Sequence, residues 1–90
     1  MIHALLVDDE PNANALLKTI LEQNFPNLIS VVGTALSVQE ARKIILREQV
    51  DLVFLDIHMP EEDGFSLFKY FPDPGFDVIF TTAYDNFAIQ

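Results

Sequence analysis

The chain has 90 residues, half of them hydrophobic, with no cysteine and a formal net charge of −9. This length allows one small domain with a single core, and the lack of cysteine excludes disulfides and thiolate metal sites. The excess of acids disfavours binding to a phosphate backbone and favours cations or basic protein surfaces. We therefore expect no direct binding of nucleic acid. We also expect a cytoplasmic protein without a membrane segment, because no leader and no long apolar run is evident.

Apolar runs alternate with helical patterns along the chain. The first run ends at the acids Asp8-Asp9-Glu10, and Pro11 then suits the first turn of a helix. Ser37 and Glu40 have the spacing of a capping box at the start of a second helix. The elements predicted in chain order are strand 2–7, helix 11–23, strand 28–33, helix 37–48, strand 52–56, helix 65–71, strand 77–82 and the start of a helix over 84–90.

This alternation predicts an α/β fold in which one domain covers residues 1–90. Strands that are joined by helices with right-handed crossovers form a parallel sheet with helices on both faces. The result is a doubly wound sheet.

The stretch 52–64 contains the most informative acid of the chain. The apolar strand 52–56 ends at Asp56, and a loop with Pro60 and Gly64 follows. Ligands of open α/β sheets bind at the carboxyl ends of the strands, which makes Asp56 a candidate functional residue. Aspartate also caps turns frequently, and this second interpretation stays open from the stretch alone.

Two acid clusters could act together if strands 1 and 3 are neighbours. Asp8, Asp9 and Asp56 would then crowd at one edge of the sheet, where they would raise one another's pKa values or hold a hard cation. Oxygen ligands favour Mg²⁺, with Mn²⁺ as a second possibility. A cation there could position a phosphoryl group for attack by an oxygen of Asp56. Helix capping is the alternative for the first cluster, and we expect one of its acids to cap.

Other polar residues carry weaker signals. Thr82 ends the fourth strand at the same edge, where its hydroxyl could donate to a phosphorylated Asp56. We interpret His58 as an exposed loop residue whose backbone carbonyl is the useful atom, and we assign no role to His3. Four phenylalanines are most simply packing residues, namely Phe65, Phe68, Phe71 and Phe76.

Three collinear motifs extend over the whole chain: Asp8-Asp9-Glu10, Leu55-Asp56-Ile57-His58-Met59-Pro60 with Asp63-Gly64, and Thr82-Ala83. Together they resemble the receiver domain of bacterial two-component response regulators. The tail, residues 82–89, is similar to receivers that precede a LytTR-type DNA-binding domain.

The resemblance implies a role for each matching residue. Asp56 would accept phosphate from the histidine of a sensor kinase, and Thr82 would be the switch hydroxyl. Asp9 and Asp56 would bind Mg²⁺ directly, Asp8 would bind it through water, and the backbone carbonyl of His58 would complete the protein ligands. The protein would then be a phosphoacceptor with at most slow autophosphorylation and autodephosphorylation, and not an enzyme.

The resemblance also implies a flavodoxin-like strand order of 2-1-3-4 and a partial receiver that ends before strand 5. Receivers carry a phosphate-neutralising lysine on strand 5, whereas the lysines here, Lys18, Lys43 and Lys69, fall on predicted helices. Strand 4 would be an open apolar edge, and a homodimer could form through this edge and helix 4. An output domain, expected to bind DNA, would follow residue 90.

Two alternative functions stay open. The chain could be a protein-interaction module that works without phosphorylation. It could also be a phosphohydrolase with an aspartyl-phosphate intermediate. Such enzymes place a second acid two residues after the nucleophile, and that position is His58 here.

Overall fold

The computed structural model describes residues 1–59 and 62–81. Its parallel sheet has four strands in the order β2-β1-β3-β4, which confirms the predicted α/β fold class and strand order. The elements are β1 (Ile2–Val7), α1 (Pro11–Asn24), β2 (Ile29–Ala35), α2 (Val38–Arg47), β3 (Leu52–Asp56), a 3₁₀ turn (Gly64–Ser66), α3 (Leu67–Tyr70) and β4 (Asp77–Thr81).

The two central strands, β1 and β3, are buried on both faces of the sheet. This burial explains why their sequences are unbroken apolar runs, since side chains alternate between the two faces. One face packs against α2 and α3 through Leu5, Val7, Val53, Leu55, Val38, Ala41 and Leu67. The opposite face packs against α1 through Ala4, Leu6, Phe54 and Leu21.

The second strand is shifted from its predicted bounds of 28–33, because β2 spans Ile29–Ala35. Gly33, the last residue of the predicted strand, lies within β2 and pairs with Leu5. The register with β1 shifts by one residue just before this pair. A Cβ atom at Gly33 would lie 3.4 Å from the Ile44 side chain of α2. The glycine therefore reflects the close approach of a helix rather than a turn.

The capping box of α2 forms with one difference from the expected geometry. The backbone N–H of Glu40 donates to Ser37 Oγ at 3.1 Å. The Glu40 carboxylate accepts from the N–H of Leu36 at 3.1 Å, one residue before the cap. Two backbone N–H groups at this helix start are thus satisfied, and the cap fixes where α2 begins next to the carboxyl edge of the sheet.

The third helix was predicted as one segment over 65–71, which is wrong in detail. A 3₁₀ turn occupies Gly64–Ser66, and only the four residues Leu67–Tyr70 are α-helical. Phe76 is buried as expected, but Phe65 is 52% exposed and contacts the ring of Phe80 at 5.3 Å between ring centroids. Phe65 is therefore a surface residue.

Two sequence predictions fall outside the described residues: Thr82 and the start of a helix over 84–90. Within the described part, β4 forms one border of the sheet, and its residues Ile79 and Phe80 are 47% and 45% exposed. None of the described helices is long and apolar enough to cross a membrane.

Candidate metal and phosphoacceptor site

Three carboxylates meet at the carboxyl edge of the sheet. Asp8 and Asp9 follow β1, and Asp56 is the last residue of β3, which pairs in parallel with β1. One ligand oxygen from each of the three side chains lies within 4.8 Å of the other two. Asp56 is buried, at 7% exposure, and Asp8 and Asp9 are half-buried. The topology thus brings together the three acids that the sequence pattern singled out.

Two of these acids also accept hydrogen bonds from backbone N–H groups. Asp8 Oδ1 accepts a hydrogen bond from the N–H of Glu10 at 2.9 Å, and Asp56 Oδ1 accepts from the N–H of His58 at 3.1 Å. The Asp56 bond is the turn bond that the capping interpretation of this residue anticipated. The helix cap expected from the first acid cluster is not made by Glu10, because this N-cap residue of α1 has no side-chain capping bond. A carboxylate has two oxygens with several lone pairs, so turn formation and cation binding are compatible in the same side chain. The turn bonds restrict the orientation of the Asp8 and Asp56 carboxylates.

The electrostatics of the cluster are unfavourable without a cation. Burial raises the pKa of Asp8, and the negative charges of Asp56, Asp9 and Glu10 raise it further, against the lowering effect of the Glu10 N–H. The ion pairs found among residues 1–59 and 62–81, His3–Asp51 and Arg47–Glu48, lie elsewhere. Clustered carboxylate oxygens are the donor set that Mg²⁺ prefers in proteins. The residues present therefore fit this ion.

Asn14 supports the site and was missed by the sequence analysis. Its side chain is buried, at 4% exposure, and its Nδ2 group donates to the carbonyl of Asp8 at 3.2 Å and to that of Ala35 at 3.1 Å. These bonds tie the loop after β1 to the end of β2. The available signal was a polar residue at position 14, three residues before Leu17 and seven before Leu21 on the face of α1 that packs on the sheet.

The loop after β3 returns tightly onto the strand end. The N–H of Gly64 donates to the carbonyl of Ile57 at 3.0 Å. A Cβ atom at Gly64 would lie only 2.5 Å from the backbone oxygen of Asp56. Real Cβ atoms essentially never approach a backbone atom so closely, so only glycine fits without displacing the chain at Asp56.

The other polar residues considered in the sequence are His58, Thr82 and His3. The side chain of His58 is exposed, and its backbone N–H contacts Asp56. Thr81 is the strand partner of Asp56 in β4, and the predicted switch residue Thr82 is the next residue, outside the described part. His3 lies at the opposite edge of the sheet, where it contacts Asp51. It takes no part in the acid cluster.

Comparison with known proteins identifies the family. The family model of the response regulator receiver domain matches residues 4–90. The chain belongs to this family. The predicted resemblance is thereby confirmed, and the acid cluster lies in a receiver domain of the kind that two-component systems use.

Relatives and solved structures agree with this assignment. The chain is 38% identical over 88 residues to the sensory transduction protein LytR of Streptococcus agalactiae, covering 96% of this chain and 36% of that protein. It is similar to the REC domain of AraT from Geobacillus stearothermophilus, with a TM-score of 0.80, 32% identity, and coverage of 97% of this chain and 68% of that chain.

A third match includes an ion in its description. The response regulator TrrA from Thermotoga maritima, in complex with Mg²⁺-BeF, superposes with a TM-score of 0.79 at 33% identity, covering 100% of this chain and 76% of that one. The chain spans just over a third of the length of the curated relatives it matches, 36–38% in the examples considered.

Proposed function

We propose that this receiver domain is a phosphoacceptor whose Asp56 takes a phosphoryl group from a histidine of a sensor kinase. An oxygen of Asp56 attacks phosphorus, the bond from phosphorus to the histidine nitrogen breaks, and an acyl phosphate remains on the domain. The observation that carries this proposal is the convergence of three carboxylates within 4.8 Å at the carboxyl edge. Asp56 is the most buried of the three, at the end of a central strand.

Mg²⁺ would be held by Asp9 and Asp56 directly, by Asp8 through water, and by the backbone carbonyl of His58. When bound, the ion neutralises the carboxylates and the incoming phosphoryl oxygens. The domain's own contribution is positional. The turn bonds to Glu10 and His58 orient the carboxylates, and burial of Asp56 limits access of water to the acceptor.

Phosphorylation would act as a switch rather than as one step of a multiple-turnover reaction. The added charge would change the state of the region after β4, with Thr82 as the responding hydroxyl. In a longer protein this change would control an output domain after residue 90. Two curated relatives are named as sensory transduction proteins LytR and LytT, which supports a cytoplasmic regulator with a DNA-binding output of the LytTR type.

The proposal is tested by incubation with acetyl phosphate and Mg²⁺, followed by intact-mass measurement of the full-length protein. We expect one added phosphoryl group, with release of acetate, and no addition when Mg²⁺ is chelated. Asp56→Ala should abolish the addition. Asp73→Ala removes an exposed acid in the loop that leads to the amino end of β4 and should leave the addition unchanged.

Two results would contradict the proposal. An unmodified mass under conditions that saturate a Mg²⁺ site would favour an interaction module that works without phosphorylation. Repeated turnover of phosphate esters above the buffer rate, abolished by Asp56→Ala, would favour a phosphohydrolase.

A further inference from the structure

A closed triangle of hydrogen bonds joins α2, α3 and the loop after β3. Gln39 Nε2 donates to Tyr70 Oη at 2.8 Å and to Glu62 Oε1 at 3.2 Å. Tyr70 Oη in turn donates to Glu62 Oε2 at 3.2 Å. We call these three residues, Gln39, Glu62 and Tyr70, the loop clamp. Each member bonds to both others, so the position of any one side chain is fixed by two contacts.

The tyrosine ring of the clamp is held by a further contact. The guanidinium carbon of Arg42 lies 4.6 Å from the centroid of the Tyr70 ring. Arg42 is on α2, three residues after Gln39, and therefore lies on the same side of that helix. A cation over the face of an aromatic ring is attracted to it. The ring is thus oriented independently of its hydroxyl group.

The clamp acts on the loop that leaves the phosphoacceptor strand. Glu62 is six residues after Asp56, and Met59 between them is buried in the core at 7% exposure. The base of the loop is closed by the bond from Gly64 to Ile57. Glu62 joins this loop to α2 through Gln39 and to α3 through Tyr70.

The clamp also faces the acid cluster across a pocket. This pocket has a volume of about 520 Å³, and Gln39 and Glu62 line it together with Asp9 and Met59. A shift of Glu62 therefore changes both the wall of the pocket opposite Asp9 and the path of the loop near His58.

We propose that the loop clamp positions the loop after β3 for cation binding, with Gln39 and Tyr70 as positioning residues. The inference rests on the proposed function, in which the backbone carbonyl of His58 is a ligand of Mg²⁺. The clamp holds this carbonyl at a fixed distance from Asp9 and Asp56. Loss of one clamp bond lets the loop adopt alternative positions, and the ion then binds only the fraction of molecules with the loop in place.

The test uses two neutral substitutions, Tyr70→Phe and Gln39→Met, in the full-length protein. Neither changes the charge near the acids, so a change in Mg²⁺ affinity reports the geometry of the loop. Tyr70→Phe keeps the ring under Arg42. Gln23→Met, at an exposed position near the end of α1, makes the same replacement as Gln39→Met and serves as its matched control.

The measurements are the Mg²⁺ dissociation constant, from backbone amide shifts at a temperature where every variant is folded, and the lifetime of the acyl phosphate. Each substitution removes two of the three clamp bonds, and we expect each to weaken Mg²⁺ binding about two- to fivefold. The double variant should be little weaker than either single one, because the triangle acts as a unit. Gln23→Met should match the wild type.

The outcomes separate the clamp from the proposed function. If the wild type binds Mg²⁺ and accepts a phosphoryl group, but both clamp variants match it in affinity and lifetime, the clamp is wrong and the proposed function stands. A lowered unfolding temperature with unchanged Mg²⁺ affinity would likewise contradict the proposal, because the clamp would then only stabilise the fold. If the wild type binds no Mg²⁺, the proposed function and the clamp are both overturned.

Discussion

The two edges of the sheet use aspartate in opposite ways. At the amino edge, Asp51 Oδ2 accepts a hydrogen bond from the N–H of His3 at 2.8 Å and lies 2.9 Å from His3 Nδ1. The backbone bond of His3, followed by its ring, lowers the pKa of Asp51. At the carboxyl edge, burial and neighbouring acids raise the pKa of Asp8. The ionised form of Asp51 is therefore favoured by folding at the amino edge, whereas the ionised form of Asp8 is disfavoured at the carboxyl edge.

Gly64→Ala should have the largest effect on stability, because it forces the backbone to shift at the carboxyl edge. The new Cβ would lie 2.5 Å from the oxygen of Asp56 and 3.0 Å from Leu55 Cγ, and the backbone must shift to admit it. We expect unfolding by denaturant to show a loss of about 2–3 kcal/mol together with weaker Mg²⁺ binding.

Gly75→Ala is the matched control for this change. Nothing lies within 4 Å of the position of its Cβ, and none of the described glycines has a positive φ. We expect the control to be neutral or to stabilise the fold by about 0.4–1 kcal/mol, because alanine restricts the unfolded chain. Equal losses for both variants would contradict the contact at Asp56.

Mg²⁺ should reverse the order of stability of the wild type and the variant Asp8→Asn. Without the ion, removal of one charge should raise the free energy of unfolding by about 0.5 kcal/mol, since solvent screens much of the repulsion at this half-buried position. At a Mg²⁺ concentration ten times its dissociation constant, the wild type should gain about 1.4 kcal/mol by mass action. The variant should gain less.

Thermal unfolding with EDTA and with Mg²⁺ measures both effects. The unfolding temperature of the variant should exceed that of the wild type in EDTA and fall below it in Mg²⁺. The same order of the two proteins in both buffers would contradict the account of the carboxyl edge.

Asp51→Asn should have the smallest effect on stability. It should lower stability, whereas Asp8→Asn should raise it in the absence of Mg²⁺. The folded pKa of Asp51 lies below its ordinary value of 3.8, so its contribution is present above about pH 4 and disappears as the pH falls through the folded pKa. The variant should be slightly less stable than the wild type at pH 7, and the difference should vanish in strong acid. Unfolding temperatures across this pH range provide the check. A difference that grows on acidification would contradict the His3–Asp51 contact.

The fold was predictable where the apolar pattern of a segment matches its burial in the structure. The apolar runs of β1 and β3 mark strands buried on both faces, whereas the order of the strands was implied by the family resemblance and not by the crossovers. The end of β2 was predicted too early because glycine is common both in turns and in strands that a helix approaches closely, as Ile44 approaches Gly33. Leu16 and Ile20 have the apolar spacing of one face of α1, but they are 63% and 43% exposed. Helical periodicity alone does not reveal how much of a face is covered.

The candidate site was predictable in its acids but not in its supporting residues. The acids lie at the end of an apolar strand or directly after it, so the pattern that identifies them consists of neighbouring residues in the sequence. Asn14, in contrast, bonds to a carbonyl 21 positions away, and the clamp joins Gln39 to Tyr70 across 31 positions. Such contacts depend on the packed arrangement of elements, and the single sequence gives no direct sign of them.

The comparison between the two edges is tested most directly by a Mg²⁺ titration followed through backbone amide shifts. Saturable shifts should centre on Asp8, Asp9, Asp56 and His58, and they should be small at His3 and Asp51. Asp56→Ala should remove the saturable response. An absence of saturation in the wild type, or equal shifts at both edges, would contradict a cation site at the carboxyl edge and, with it, the phosphoacceptor function.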